Sequence, residues 1–301
     1  MTRTLKRTKS EKIFEIFNII LMVFISITML YPYLNQLAIS FNDGMDTILG
    51  GITIFPRKFT WLNYKTIFTG ESISGAFNLT VFITVVHTLI ALTVTTSAAY
   101  AMAKKDLPFK NGITWFLIIP MYISGGIIPT FILYRYLGLL NNILVYVIPG
   151  AFSFYNMLII RTYIKGLPIS LEESAMLDGA NEAVVLFKII LPLSMPVIAT
   201  VALWLMVGTW NGWMATLYYV NEKSLFTLQY VVMRLIKQSD VLQQLAAETA
   251  LTGGETVKEA QTTSESVKAA AIIFSTIPIV LTYPFLQKYF VKGVTIGAVK
   301  D

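Results

Sequence analysis

The chain has 301 residues, of which 55% are hydrophobic, 13% aromatic and only 13% charged. Ordinary globular domains carry about 25% charged residues, so this composition excludes a soluble protein and indicates an integral membrane protein. The absence of cysteine excludes disulfides, zinc–thiolate sites, iron–sulfur clusters and thiol nucleophiles. The single histidine excludes a multi-histidine metal site, and the net charge of +6 indicates cytoplasmic lysines rather than nucleic-acid binding.

Six stretches of the sequence lack Asp, Glu, Lys and Arg and are long enough to cross a bilayer. A helix needs about 20 apolar residues to cross about 30 Å of hydrocarbon, and a charge at its centre costs about 2.5–3.5 kcal/mol. The sequence therefore predicts an all-α, polytopic membrane protein with six transmembrane helices. The stretches are 16–42, 72–103, 111–134, 136–160, 189–221 and 269–287.

Basic residues lie mostly on one side of these predicted spans, and the positive-inside rule makes that side cytoplasmic. Both termini are then expected in the cytoplasm. This side holds 14 of the 23 basic residues, namely Arg3, Lys6, Arg7, Lys9, Lys12, Lys104, Lys105, Lys110, Arg161, Lys165, Lys188, Lys288, Lys292 and Lys300.

The spans and charges together predict the order of segments along the chain. A cleaved signal peptide is the alternative for the N-terminus, but its apolar stretch is longer than the 7–15 residues of a signal peptide. We therefore expect a retained first helix. The segments are a cytoplasmic basic tail at 1–13, helix 1 at 14–35, an extracytoplasmic loop at 36–76, a core of five spans at 77–290 and a cytoplasmic tail at 291–301. Within the core, a cytoplasmic loop is expected at 166–192 and an extracytoplasmic loop at 220–268.

The predicted cytoplasmic loop at 166–192 has signals for two short helices. Ser170 followed by Glu173 forms a capping-box pattern, and Gly179 is placed to end the first helix in a left-handed conformation. A second helical stretch covers 181–190. Such a unit is a rigid contact for a soluble partner, or else a connector at the membrane surface whose Glu173 only caps its own helix.

The same loop resembles the EAA loop of ABC importer permeases. The resemblance is carried by Glu173-Ser174-Ala175, Gly179 after three residues, Ile189 after nine more, and Leu191-Pro192. The string at 173–180 and the C-terminal segment at 287–300 are similar to the carbohydrate (MalG-like) branch of these permeases. The chain is also similar to the LplC/YtcP group of oligosaccharide permeases. Three further segments carry this similarity: Ile128-Pro129-Thr130, Gly138-Leu139-Leu140-Asn141 and Trp210-Asn211.

The resemblance implies the ABC type I importer permease fold and a role as a transmembrane subunit of an ATP-driven, binding-protein-dependent importer of a sugar or oligosaccharide. The chain would form half of the translocation pore and contact the ATPase through the 166–192 loop. Ser174 stands where alanine is usual, and a small side chain is retained there. The residues expected to couple to the ATPase are Glu173, Ser174, Ala175, Asp178, Gly179, Ala180, Leu191 and Pro192.

The resemblance also implies the partners and the location. These are a second homologous permease, two cytoplasmic ATPase subunits and an extracytoplasmic solute-binding protein, in a bacterial inner (cytoplasmic) membrane. No cofactor is expected in this chain, since ATP and magnesium would be bound by the ATPase. In agreement, no glycine precedes a lysine anywhere in the sequence, so a Walker A phosphate loop is absent.

Four residues are candidates for the substrate pathway. Trp204, Trp210 and Asn211 lie toward the predicted outer end of the fifth span, where rings could stack on sugars; an interfacial aromatic belt is the alternative. Asn156 lies in the fourth span and is expected to face the bundle interior or to form an interhelical hydrogen bond.

Two other classes of protein compete with the permease interpretation. A self-sufficient secondary transporter would show internal repeats and buried acids, but the six uncharged stretches contain neither Asp nor Glu. An intramembrane enzyme would use His87 with a serine such as Ser97, yet no nucleophile motif surrounds them. For His87 we expect structural hydrogen bonding rather than proton transfer, and we expect no catalytic residue and no metal site.

Overall fold

The structure, a computed structural model, describes residues 8–69, 73–251 and 263–298. Within these ranges the regular elements are helical, apart from one isolated bridge between Asn42 and Phe59. The helices are α1 Lys9–Ser40, α2 Gly44–Ile48, α3 Leu62–Thr69, α4 Ile73–Ala103, α5 Lys110–Tyr122, α6 Ile127–Tyr136, α7 Phe154–Lys165, α8 Ser170–Leu177, α9 Glu182–Val185, α10 Leu191–Leu193, α11 Met195–Trp210, α12 Met214–Tyr219, α13 Leu228–Leu251 and α14 Ser264–Ala298. This confirms the all-α prediction.

Three of the helices in the described ranges are long and apolar enough to cross a membrane unbroken, and two pairs of shorter helices could each form one bent span. The unbroken helices are α1, α4 and the Ser264–Thr282 part of α14. The bent pairs are α5 with α6, at 115°, and the Glu182–Leu193 segment with α11, at 80°. Proline can occupy the first turn of a helix, where no N–H bond is lost, and Pro129 and Pro196 occupy such positions after the two bends.

The predicted fourth span, 136–160, is not one continuous helix. A 3₁₀ turn covers Ile143–Tyr146, and α7 begins only at Phe154 and continues to Lys165. Asn141 adopts a left-handed conformation with φ 51°, and Pro149 cannot donate a helical hydrogen bond. The stretch was apolar enough for a span, but these residues interrupt the helix.

The extracytoplasmic loop predicted at 220–268 contains a helix that the sequence analysis did not predict. α13 occupies Leu228–Leu251, and the part of the predicted loop at 252–262 lies outside the described residues. The side chains of Leu228, Val231 and Val232 are buried. Their spacing of three and four residues is the helical signal that was available in the sequence.

The chain divides into two compact units, Met1–Glu71 with Arg234–Thr276 (unit 1) and Ser72–Met233 with Ile277–Asp301 (unit 2). In unit 2, α4 packs along α7 and α11. The core that these helices share is apolar and buried. Its buried residues are Ala99, Tyr100, Met102, Phe154, Met157, Ile160, Ile164, Val185, Leu186, Ile190, Val197, Ile198 and Val201.

In unit 1, the segment after α1 is organised around the buried amide of Asn42. Its Nδ2 donates to Asp46 Oδ2 at 2.9 Å and to Thr47 Oγ1 at 3.1 Å, and its Oδ1 accepts from the Lys58 amide at 2.9 Å. Arg57 Nε donates to the same Asp46 oxygen at 2.9 Å. A buried amide with its bonds satisfied fixes loop geometry, so 42–58 is an ordered structure rather than a linker.

Acidification should loosen this segment of unit 1. The Asn42 amide and the Arg57 guanidinium hold the pKa of Asp46 below its usual range, so the carboxylate stabilises the fold at pH values above about 3.9. That stabilisation is lost as the pH falls through the lower, folded-state pKa. We expect amide hydrogen exchange in 43–60 to accelerate below about pH 4, beyond its intrinsic pH dependence. Asp46→Asn should already exchange faster at pH 7 and show no such acid transition.

Candidate functional site

The 166–192 loop folds as α8 and, after a turn at a glycine, a helical segment in which α9 continues through a π-helix at Leu186–Ile190 into α10. Gly179 has φ +86°, its N–H donates to the Met176 carbonyl at 3.0 Å, and the Ala180 N–H donates to the Ala175 carbonyl at 3.0 Å. These bonds satisfy the last carbonyls of α8, as expected for a left-handed glycine after a helix. The predicted helix end at Gly179 is confirmed.

The predicted capping box at Ser170 is not formed. Ile169 already has helical dihedral angles, and α8 starts at Ser170 with no side-chain cap. The cause is the preceding turn, in which the Leu171 N–H donates to the Pro168 carbonyl at 3.2 Å, so that the helical path begins before Ser170. A cap does form at α9, where Asn181 Oδ1 accepts from the Val184 N–H at 2.9 Å.

The loop exposes most of the residues predicted to couple to an ATPase. Glu173, Ser174, Asp178, Gly179 and Pro192 are exposed, whereas Ala175, Ala180 and Leu191 are half-buried against the core of unit 2. The sequence analysis missed Leu177, the last residue of α8, which is 89% exposed.

Mostly apolar residues of unit 2 line an open cavity of about 690 Å³. Trp204 and Trp210 both line it, so the structure brings these two pathway candidates together, and Trp204 also stacks on Tyr155 with ring centroids 6.5 Å apart. Asn156 and Asn211 are not among the lining residues. The cavity is lined by Val81, Thr84, Val85, Leu203, Trp204, Met206, Val207, Gly208, Trp210, Pro278, Ile279 and Thr282.

His87 is a structural contact between three parts of unit 2. The side chain is buried, and its Nδ1 lies 2.8 Å from Thr209 Oγ1 on α11. Its Nε2 faces Gly150, where an added Cβ would lie only 2.5 Å away. Ser97 is ten residues further along α4, about 15 Å along the helix axis, so the two residues do not form a catalytic pair.

The described part of the chain holds no group of three or more His, Asp or Glu side chains able to bind a metal ion. The main features of unit 2 are an exposed loop and a mostly apolar cavity between helices.

Comparison with known proteins identifies the family. A family profile described as "Binding-protein-dependent transport system inner membrane component" matches residues 91–296. The chain is 37% identical to protein LplC of Bacillus subtilis, over 99% of this chain and 98% of that protein. It is 32% identical to the polygalacturonan/rhamnogalacturonan transport system permease protein YtcP of the same organism, over 89% and 92%.

A solved structure gives the same result. The crystal structure of a bacterial ABC transporter involved in import of the acidic polysaccharide alginate contains a chain that matches with a TM-score of 0.84 and 27% identity, covering 95% of this chain and all of that one. The fold is thus that of an ABC importer permease, a transport component rather than an enzyme. The chain belongs to the family of binding-protein-dependent transport system inner membrane components.

Proposed function

We propose that this chain is one of two permease subunits of an ATP-driven oligosaccharide importer and that its 166–192 loop docks on a cytoplasmic ATPase. The observation that carries the proposal is the exposed turn at Gly179, which displays Glu173, Ser174 and Asp178 beside the exposed Leu177. Two half-buried alanines, Ala175 and Ala180, hold this turn against the core of unit 2. Docking through packed helices transmits motion because such contacts switch between discrete arrangements.

A second permease subunit is supported by α1 of unit 1. Its apolar side chains are exposed along most of its length, and only Ala38, Ile39 and Ser40 are buried. A helix that is apolar all around needs lipid or another membrane helix around it. The positive-inside bias of the basic residues supports a cytoplasmic position for both termini and for the 166–192 loop. ATP and magnesium would be bound there by the ATPase subunits.

The extracytoplasmic solute-binding protein would dock on the ordered segment after α1. Phe59 and Trp61 are 61% and 64% exposed, and both are fixed by ring contacts with Phe41, at 5.4 and 5.0 Å between centroids. Exposed aromatic rings on a rigid support are typical of protein interfaces.

The substrate class follows from the relatives. YtcP is a permease for polygalacturonan and rhamnogalacturonan, the similar solved structure belongs to an alginate importer, and AraQ of Halalkalibacterium halodurans, 27% identical over 92% of this chain, is a permease for arabinooligosaccharides. Their shared chemistry is an oligosaccharide. Trp204 and Trp210 offer rings for the apolar faces of sugars, and Asn156 and Asn211 would supply hydrogen bonds elsewhere along the pathway.

The test is uptake by proteoliposomes that contain this chain, the partner permease and the ATPase, with the binding protein outside and ATP inside. The probes are radiolabelled oligogalacturonides, alginate oligosaccharides and maltodextrins. Uptake that requires ATP and the binding protein supports the proposal. Uptake by this chain alone, driven by an ion gradient, would establish the secondary-transporter alternative instead.

Truncating Trp204 should slow uptake without preventing assembly. An aromatic stacking contact is worth about 0.5–1.5 kcal/mol, so we expect Trp204→Ala to lower the uptake rate about two- to twelvefold. The matched control is Trp115→Ala, because Trp115 is exposed on α5 and does not line the cavity. Equal rates in the two variants would remove Trp204 from the pathway.

A further inference from the structure

A cluster of polar side chains joins α4 to both helices of the 166–192 loop. Tyr100 lies in the last turn of α4 and is 7% exposed, and Lys104 directly follows the helix. Glu172 lies in the first turn of α8, and Glu182 is the first residue of α9. We call these four side chains the Tyr100–Lys104 cluster.

Each carboxylate in the cluster is bound by the same two side chains. The Tyr100 hydroxyl has a single hydrogen, which it shares between Glu182 Oε2 at 2.5 Å and Glu172 Oε1 at 3.2 Å. Lys104 Nζ pairs with Glu182 Oε2 at 2.8 Å and also with Glu172. The ammonium lies 4.5 Å from the centroid of the Tyr100 ring, within the range of a cation–π contact.

The cluster differs from an ordinary surface ion pair. Isolated exposed pairs contribute little, because water screens them and two long side chains lose entropy. Here the side chains of Glu172 and Lys104 are only 20% and 25% exposed, whereas Glu182 is 60% exposed. Both acids are also bound by the Lys104 ammonium and the Tyr100 hydroxyl. Hydrogen bonds to a charged group are stronger than those between neutral groups, and their geometry is more sharply defined.

Apolar contacts also hold the loop to the core of unit 2. Ala175 and Ala180 pack on that core, and Val185, Leu186 and Ile190 of the loop are part of it. Apolar contact has no preferred direction, whereas hydrogen bonds and ion pairs lose strength steeply when their geometry changes. The Tyr100–Lys104 cluster is therefore a directional connection that complements the packing between α4 and the loop.

We infer that Tyr100 and Lys104 are positioning residues that make α4 and the 166–192 loop move as one rigid body when an ATPase displaces the loop. The inference rests on the proposed docking of that loop. It adds a connection from the docking surface to a single membrane-spanning helix.

Spin labels can test this directly, because the chain has no native cysteine. Thr93→Cys and Ala183→Cys place labels on exposed positions of α4 and α9, with Thr93 about 16 Å along the helix axis from Lys104. The labelled chain is assembled with the partner permease and the ATPase, both freed of cysteine. Label separation is measured without nucleotide and with ATP trapped by vanadate, and ATPase retention is recorded on the same samples.

In the parent chain we expect one narrow distance distribution that is the same in both states. Lys104→Met and Tyr100→Phe should keep the ATPase bound. In the vanadate-trapped state, however, each should shift the mean distance between the two labels by more than the width of the distance distribution in the parent chain. Lys104→Arg should restore parent behaviour, and Lys105→Met, at the exposed neighbouring lysine, should match the parent.

Two results would overturn the inference while leaving the docking proposal intact. One is a parent distance that already differs between the two states, and the other is a Lys104→Met variant that behaves as the parent in both. Failure of the parent chain to retain the ATPase is a separate result, which overturns the docking proposal and this inference with it.

Discussion

Gly179→Arg should abolish retention of the ATPase while leaving the membrane helices folded. The variant faces two penalties, since φ of +86° costs a non-glycine residue about 1 kcal/mol or more and an arginine would project from the turn proposed to enter the partner. Within the described residues no atom lies within 4 Å of a Cβ added there, so the substitution does not disturb the core of unit 2. The measurement is co-purification in detergent with the partner permease and the ATPase.

Two further variants separate backbone strain from steric exclusion. Gly179→Ala has the same unfavourable φ but little bulk, so we expect ATPase retention to be reduced and not lost. Gly50→Arg is the matched control, because Gly50 has φ +69° with no described atom within 4 Å of an added Cβ, in the segment after α1. If Gly179→Arg retains the ATPase as well as Gly50→Arg does, the loop is not the docking element.

Local features of the loop were predictable because they depend on neighbouring residues. A glycine after an apolar helical stretch identifies a left-handed helix end, and Gly179 has that conformation. α5 and α6 meet at 115° across Gly125-Gly126, where glycine weakens the interior of a helix. The Ser170 prediction was wrong because a capping box assumes that the helix starts after the serine, and the Pro168 turn starts the helical path earlier.

Contacts between distant residues were not predictable from one sequence. Tyr100 and Glu182 are 82 positions apart, and neither residue type nor spacing indicates that they meet. Lys104 was interpreted only as a cytoplasmic charge, although its position just after α4 brings it to the loop. The same limit applies to the fourth span, since apolar composition measures insertion into lipid and does not reveal that Asn141 and Pro149 interrupt the helix.

The close approach of His87 to Gly150 predicts a second large effect. A Cβ at residue 150 would lie 2.5 Å from His87 Nε2, closer than any van der Waals contact allows. The imidazole is not free to swing away, because it is buried and its Nδ1 is held at 2.8 Å by Thr209. Gly150→Ala should therefore lower the free energy of unfolding by about 1–3 kcal/mol, as overpacking of a filled core does.

A double-mutant cycle of Gly150→Ala and His87→Ala tests whether the two residues are in contact. His87→Ala alone should also destabilise the protein, since it leaves a cavity and leaves the Thr209 hydroxyl without its ring partner. In the double variant the new methyl group enters space vacated by the ring, so the combined loss should be smaller than the sum by about 1 kcal/mol or more. Thermal unfolding in detergent gives the four values of the cycle.

Gly208→Ala is the control for this cycle, because Gly208 lies in α11 of the same unit and no described atom lies within 4 Å of an added Cβ. Alanine is favoured over glycine within a helix by about 0.5–1 kcal/mol, so this variant should be as stable as the parent or more so. Strictly additive losses for Gly150→Ala and His87→Ala would show that the imidazole does not face Gly150. His87 would then have to be reconsidered as a residue of the transport pathway rather than a packing contact among α4, α11 and the turn before α7.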